Sequence, residues 1–474
     1  MSIVMPKVSI LNDEQKAVVH DYSLKILASE GIRVDLARAR DIFERAIAKP
    51  AEDNRVRIPA ELVNWALKTM PHHINIYDRN GHLAFTLGDA QSGGTRFGIG
   101  VTNLYYQNPE TDEVVPFTRK HMEISTRLGE ALPSYDIVST LGIIRNLPAD
   151  VSDLYATLEM VANTVKPLII LVSNEKCFNS VLDLLEHLHG DLAEKPFVIP
   201  YFNPITPLII NEGTTDKMII AIKKGLPIIY SNMGMSGAST PITPGGTLAL
   251  MNAELLAGLV LSQLIKKGSS IILGSLPASF DMKAMRSVYT PITFLINIAC
   301  AEMMAHYGIP HFGTSGSGTG WNADLTAAGS LWINHLTSCL SKVGLVPFVG
   351  GNFDSLVFSP TTVVYSDQVI RQSRQFVKGF RLDDEKVAID EIASIGPGGN
   401  YLTSPQTLKL FQKFLFDDSI WPDLSLEQWQ AKSKPQADEW LKKHTCELIK
   451  GLQAPKDHDM LIKEGEAFIK KTVN

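Results

Sequence analysis

Cysteine is scarce in this chain: Cys177, Cys300, Cys339 and Cys446 are spread through 474 residues, with no Cys-x-x-Cys pair. That spacing indicates neither a disulfide framework nor a zinc knuckle and fits a reducing, cytoplasmic setting. An excess of one charge sign is lacking too. Against 44 Lys and Arg stand 50 Asp and Glu, a net charge of −6 without long runs. This argues against nucleic acid or an anionic membrane as partner. The opening MSIVMPKVSILNDEQKAVVH lacks a basic stretch followed by an apolar one and a cleavage site, so no export signal is read. The most membrane-like window, Thr247 to Ile265, carries Asn252, Glu254, Ser262 and Gln263. A central carboxylate is expensive in lipid, so the window reads as a buried helix. With 45% hydrophobic and 20% charged residues, the composition is that of a large globular protein that needs no covalent staples. Its slightly positive mean hydropathy makes a homo-oligomer an open expectation.

Residues 1–94 read as helices followed by a small hairpin. Asn12 suits a helix cap, a second helix starts near Asp35, and Pro59 opens a third. HHINIYDRNGHLAFTL then alternates like two strands around Asn80-Gly81. Over 95–380 the texture changes to short apolar runs, at 95–101, 135–142, 167–173, 197–203, 227–233, 270–275, 309–314 and 345–351. Eight such runs separated by helix-length segments predict an α/β fold, a (β/α)8 TIM barrel, with a doubly wound open sheet as the alternative. Residues 381–474 return to helical patterning and read as a C-terminal helical cap. A Gly-Pro-Gly-Gly turn falls at Gly396–Gly399.

Barrel enzymes work at the carboxyl ends of their strands. Those ends offer no lysine for a Schiff base, no close carboxylate pair and no metal-ligand set. His187 and His189 read as surface helix, Glu302 and His306 as a helix-face pair, and His311 as core. Ser173 lacks a nucleophile-elbow context. Asp354, just past the eighth run, is the best-placed acid and the one catalytic candidate. Two glycine-rich loops, Met233–Gly246 and Gly313–Gly320, suit either backbone contacts to an anion or simple turns; the second is expected to open a helix at Trp321. Aromatics among uncharged amides suit an organic cation held by cation–π attraction.

The segments LNDEQKAVVHDYSLKILASEGIRVD, GDAQSGGTRFGIGVTNLYYQNPETDEVVPFTRKH, VGGNFDSLVFSPTTVVYSDQVI and DEIASIGPGGNYLTSPQTLK resemble the trimethylamine methyltransferase family, and specifically its members without pyrrolysine, such as glycine betaine:corrinoid methyltransferases. The resemblance covers nearly the whole chain and implies a (β/α)8 barrel. It also implies methyl transfer from an amine to the Co(I) corrinoid, a cobalamin, of a cognate corrinoid-binding protein, with no metal bound by this chain. The family's trimethylamine enzymes use pyrrolysine, which is absent here, so a quaternary amine is favoured: glycine betaine first, with proline betaine, carnitine or butyrobetaine as alternatives. A different barrel enzyme without a corrinoid, or an inactive betaine-binding protein, would be the other classes. On this reading Phe97, Tyr105, Tyr201 and Phe353 wall the ammonium group. Asn203, Asn232 and Asn352 give polar contacts, and Gly313, Ser315 and Gly316 hold the carboxylate.

Overall fold

The computed structural model describes residues 2–88, 94–100, 102–314, 318–382, 387–414 and 419–473. Each apolar run marks one strand: β1 (Arg96–Ile99), β2 (Ile137–Ser139), β3 (Leu168–Ile170), β4 (Val198–Phe202), β5 (Ile228–Ser236), β6 (Ile271–Asp281), β7 (His311–Phe312) and β8 (Leu345–Val349). All neighbours are parallel. Pairing of β8 with β1 and of β5 with β6 closes the ring, so the sheet is a barrel and not an open doubly wound sheet. One helix follows each strand: α1 (Arg119–Ala131), α2 (Ala149–Asn163), α3 (Phe178–His189), α4 (Glu212–Lys224), α5 (Pro244–Ile265), α6 (Pro291–His306), α7 (Leu325–Leu340) and α8 (Pro360–Val377).

The strands are mostly apolar within the barrel because both faces are buried. Successive side chains point to opposite faces, so each strand divides its residues between lumen and helices. Ile137, Ile169, Ile199, Ile229 and Ile272 fill the lumen, while Val138, Leu168, Ile170, Val198, Tyr230 and Leu273 meet the helices. Helix α5, the membrane-like window, is the core helix behind β5 and is buried from Thr247 to Gln263. Gly258 lets it approach closely: an added Cβ would stand 2.1 Å from the Tyr230 ring.

The amino-terminal end of the barrel is sealed by the expected hairpin, Ile74–Tyr77 against Leu83–Leu87, whose Ile74, Ile76, Phe85 and Leu87 join the lumen cluster. Beside it, Asp136 accepts from Arg96 (3.1 Å), Arg374 (2.6 Å) and the Phe97 amide (3.0 Å). Ahead of the hairpin, Asn12 caps the helix Asp13–Ser29 in a reciprocal box with Gln15. The second and third helices are Ala37–Ile47 and Ala60–Thr69. Pro59 occupies the cap position of the third and not its first turn. After the barrel, Phe380–Leu382 pairs with Ser2–Val4. The terminal helices Ala437–Gly451 and His458–Val473 lie on α8 and α2. Asp457 reaches back to clamp Arg79 of the sealing hairpin with both carboxylate oxygens.

Two elements differ from expectation. Strands β5 and β6 run on well past the barrel, paired from Ile228↔Ile271 to Ser236↔Ser279, and β6 then turns back into Arg286–Val288. The opening of the segment Met233–Gly246 is therefore strand. Its Gly and Ser gain extended backbone from the partner's ladder, which local propensity does not reveal. Helix α7 begins at Leu325 and not at Trp321, because Asp324 is the residue whose side chain caps it, accepting from the Ala327 amide at 2.8 Å.

Candidate active site

The carboxyl end of the barrel forms an open mouth. Alternation along β4 turns Tyr201 into the lumen and Phe202 outward against Phe178 of α3, at 5.9 Å. The Tyr201 ring meets Phe348 edge-on at 5.3 Å and Phe312 at 6.3 Å, and the last two meet at 6.3 Å. These rings, with Leu171 and Leu276, floor the mouth above the isoleucine layer. Ser231 is the polar neighbour of the Tyr201 hydroxyl, and burial pushes that phenol well above its ordinary range. Tyr201 is half-buried, so its ring is still reached from the mouth.

Asp354 sits in a turn whose three residues, Phe353, Asp354 and Ser355, all adopt positive φ (51°, 57° and 64°). Three consecutive left-handed residues without glycine are costly and need tertiary support. It comes from the neighbouring loops: the Phe353 amide donates to Gly320 O and the Asp354 amide to Gly318 O. The Asp354 carboxylate accepts from Ser287 Oγ, on the strand Arg286–Val288 that returns along β6, and from the Tyr289 hydroxyl just after it. Burial first, then the Asp354 charge, holds the Tyr289 phenol far above its usual value. Sequence reading missed Ser287 and Tyr289 because the run that marks β6 ends at Ser275, and the return strand Arg286–Val288 carries no apolar run of its own.

The other candidates are placed unevenly. Phe97 is fully buried on the outer side of β1, edge-on to His335 of α7 at 5.5 Å, and does not wall the mouth. Asn232 also faces outward, one residue past the inward Ser231. It donates to Met251 O (2.9 Å) and Glu254 Oε2 (2.7 Å) of α5, while its oxygen accepts from Ser275 (2.7 Å). Asn352 is buried and spent on Gln107 (3.2 Å) and Thr362 (3.1 Å). These three are structural in position because strand period and buried polar demand claim them. Asn203 is exposed in the loop after β4. Tyr105 is half-buried on a short strand paired with Val357–Phe358 of the β8 loop, and Phe353 is exposed at the tip of that loop. The Gly313 amide donates to Leu345 O at 2.9 Å, the Thr314 amide to Asn297 and the Gly318 amide to Gly351 O, so these N–H groups are not free for an anion. Ser315 and Gly316 lie outside the described residues.

Glu254 is the functional-looking group that the sequence shows only as a charge in an apolar helix. Its carboxylate gathers Thr206 Oγ1 (2.9 Å), the Leu208 amide (2.6 Å) and Asn232, and so pins the loop after β4. Burial pushes its pKa up to about 7 despite those donors. Beside the mouth, the β2 and β3 loops enclose a cleft of about 660 Å³ lined by Arg145, Asp153, Ser173, Asn174 and Glu175. Asp153 accepts the Asn174 amide at 2.8 Å there. The stray histidines have packing roles: His187 stacks on Phe468, His189 meets Phe197 edge-on, and His311 lies buried against Ile309 O. Glu302 accepts the Ile10 and Leu11 amides and anchors the amino-terminal arm.

A closed (β/α)8 barrel whose mouth is built from strand-end loops is the architecture of an enzyme, with the chemistry left to the loops. The trimethylamine methyltransferase family model matches residues 2–474, and the chain belongs to that family: it is a methyltransferase. It is 27% identical to a trimethylamine methyltransferase of Desulfitobacterium hafniense (strain DSM 10664 / DCB-2), over 84% of this chain and 80% of that one. It is 26% identical to a glycine betaine methyltransferase of D. hafniense (strain Y51), over 92% of this chain and 91% of that one. In fold it is similar to the Methanosarcina barkeri monomethylamine methyltransferase, with a TM-score of 0.53, 10% identity and coverage of 95% and 89%.

Proposed function

We propose that this enzyme moves a methyl group from a quaternary amine, glycine betaine favoured, to the Co(I) corrinoid of a separate partner protein, releasing dimethylglycine. The observation that carries the reading is the mouth itself. Its floor is aromatic and uncharged around Tyr201, and its one catalytic candidate, Asp354, is already committed to Ser287 and Tyr289. Such a floor suits an ammonium group without a general acid. When a quaternary amine gives up methyl, the carbon–nitrogen bond breaks and the nitrogen keeps the electron pair. The leaving amine is neutral and needs no proton. The acceptor supplies the nucleophile, and the protein's share is orientation and exclusion of water. Tyr201 would face the cation, with a modest hold, because positive charge leaves the amine during transfer and tight ground-state binding would slow it. Asp354 would act by holding the return strand Arg286–Val288 against the β8 loop and so fixing the rim. The 26% identity to a glycine betaine methyltransferase along nearly the full length supports this substrate class.

The test mixes the protein and its corrinoid partner in the Co(I) state with glycine betaine, proline betaine, carnitine, butyrobetaine and trimethylamine. Methylation is read from the cobalamin spectrum and the demethylated amine by mass spectrometry. Transfer from a betaine and none from trimethylamine is expected. Silence across the panel with the partner present would overturn the reading.

A further inference from the structure

The amides expected to hold a substrate carboxylate are engaged where they are described: those of Gly313 and Gly318 donate to Leu345 O and Gly351 O. A cation stands instead on the cleft between the β2 and β3 loops. Leu171 of the mouth floor comes two residues before Ser173 of the cleft, a strand step of about 7 Å, so the cleft opens from the mouth at the end of β3. Its lining divides by chemistry: Leu104, Ile143 and Leu147 are apolar, while Arg145, Asp153 and Glu175 are charged. The two acids are already committed. Asp153 accepts the Asn174 and Ser173 amides. Glu175 is turned toward the start of α4, where an added Cβ on Gly213 would run into its carboxylate. Both acids act on Lys217 of α4, whose ammonium donates to Val172 O at 2.8 Å. Arg145 is left over. It is exposed, and among the described residues its guanidinium meets no carboxylate and no other acceptor.

We propose that Arg145 holds the carboxylate of the methyl donor, so that the acid arm of the substrate lies in this cleft while its ammonium group rests on the Tyr201 floor; the proposal builds on the quaternary-amine reading above. A guanidinium presents paired N–H donors that match the two oxygens of a carboxylate. The two ends of a zwitterion then meet unlike surfaces, ring faces that attract a cation and a forked cation that repels one. Orientation follows, because the reversed substrate would set ammonium against guanidinium. The apolar part of the lining suits the methylenes of an acid arm. At about 660 Å³ the cleft has room for the longer arms of carnitine and butyrobetaine as well as for glycine betaine. Recognition of the acid is thus placed on the β2 loop and recognition of the cation on β4.

The test is equilibrium binding to the full chain by isothermal titration, with glycine betaine, butyrobetaine and tetramethylammonium, which has no carboxylate. Arg145→Gln should weaken both betaines about tenfold to hundredfold, the worth of a hydrogen bond to a charged group, and leave tetramethylammonium unchanged. Arg145→Lys should recover part of the loss, since the charge remains without the fork. Because Arg145 is exposed, both variants should keep their helix content. Betaine binding that is equal in the wild type and Arg145→Gln would overturn the proposal and leave the quaternary-amine reading standing. An equal loss for tetramethylammonium would overturn it too, since the residue would then shape the mouth without holding an acid. So would a variant that binds betaines normally and loses only transfer to the corrinoid protein, which would give Arg145 to that partner. A wild type that binds none of the three would bring down the amine reading and this proposal together.

Discussion

The two ends of the barrel are built on opposite rules. At the amino-terminal end, side chains from the sealing hairpin and the isoleucine layer interdigitate in one cluster, and Asp136 bridges two arginines beside it. At the carboxyl end the contacts run between loops. Asp354 joins the β8 loop to the return strand Arg286–Val288, Gln107 joins Asn352 to Trp321 O, and Glu254 pins the β4 loop. The base is held by packing, which tolerates no gap, and the mouth by directional hydrogen bonds, which hold geometry with little bulk. Stability and positioning are thus assigned to different ends of the same strands.

Substitutions that act at one end only would sharpen that division. The largest effect is expected at the base: Phe85→Ala should cost about 3–5 kcal/mol, measured by denaturant unfolding. The folded fraction of that variant should keep its transfer rate; a matching loss of activity per folded molecule would break the comparison. Phe97→Ala should behave in the same way, since its ring lies behind the barrel wall. At the mouth, Tyr201→Ala should raise the KM for the amine about tenfold to thirtyfold with a smaller change in kcat, the range of a desolvated cation–π contact of about 1.5–2 kcal/mol made mainly in the ground state. Tyr201→Phe should stay near wild type, because the ring and not the hydroxyl faces the cation.

A smaller effect is expected at Glu254. Its folded-state pKa, about 7, lies above the ordinary 4.5, so the folded chain holds a proton that the unfolded chain has released. The contribution of Glu254 to stability is then fullest below about pH 4.5 and declines as pH rises to 7. Glu254→Gln should flatten that slope in unfolding curves taken between pH 5 and 7, and an unchanged slope would remove Glu254 as its source. The smallest effect, about 1 kcal/mol, is expected for Asn12→Ala, which removes a helix cap remote from both ends.

The barrel was legible in the sequence because strands buried on both faces must be apolar without interruption, and eight such runs stood clear of the helices. Which way each residue points was not legible. A continuous run carries no polar alternation, so Phe97 and Tyr201 look alike in sequence while one faces helices and the other the lumen. Asn232 was misplaced for the same reason, by one step along β5. The polar cluster of the mouth was half visible. Asp354 follows an obvious strand, but Ser287 and Tyr289 come from a short return strand and its end, which pair with the part of β6 that runs beyond the ring. Such pairing is a property of two distant segments together.

The Arg79–Asp457 clamp sets an order of events during synthesis. Arg79 is 2% exposed in its side chain, and its carboxylate partner lies 378 residues further along the chain. At about 5–20 residues per second, a ribosome delivers that partner roughly 20–75 s after the arginine. Until then the hairpin that stops the barrel's base carries a cation that must stay in water, so the last door to close is the one at the foot of the barrel. A chain released early would leave that door ajar and mark itself for proteolysis.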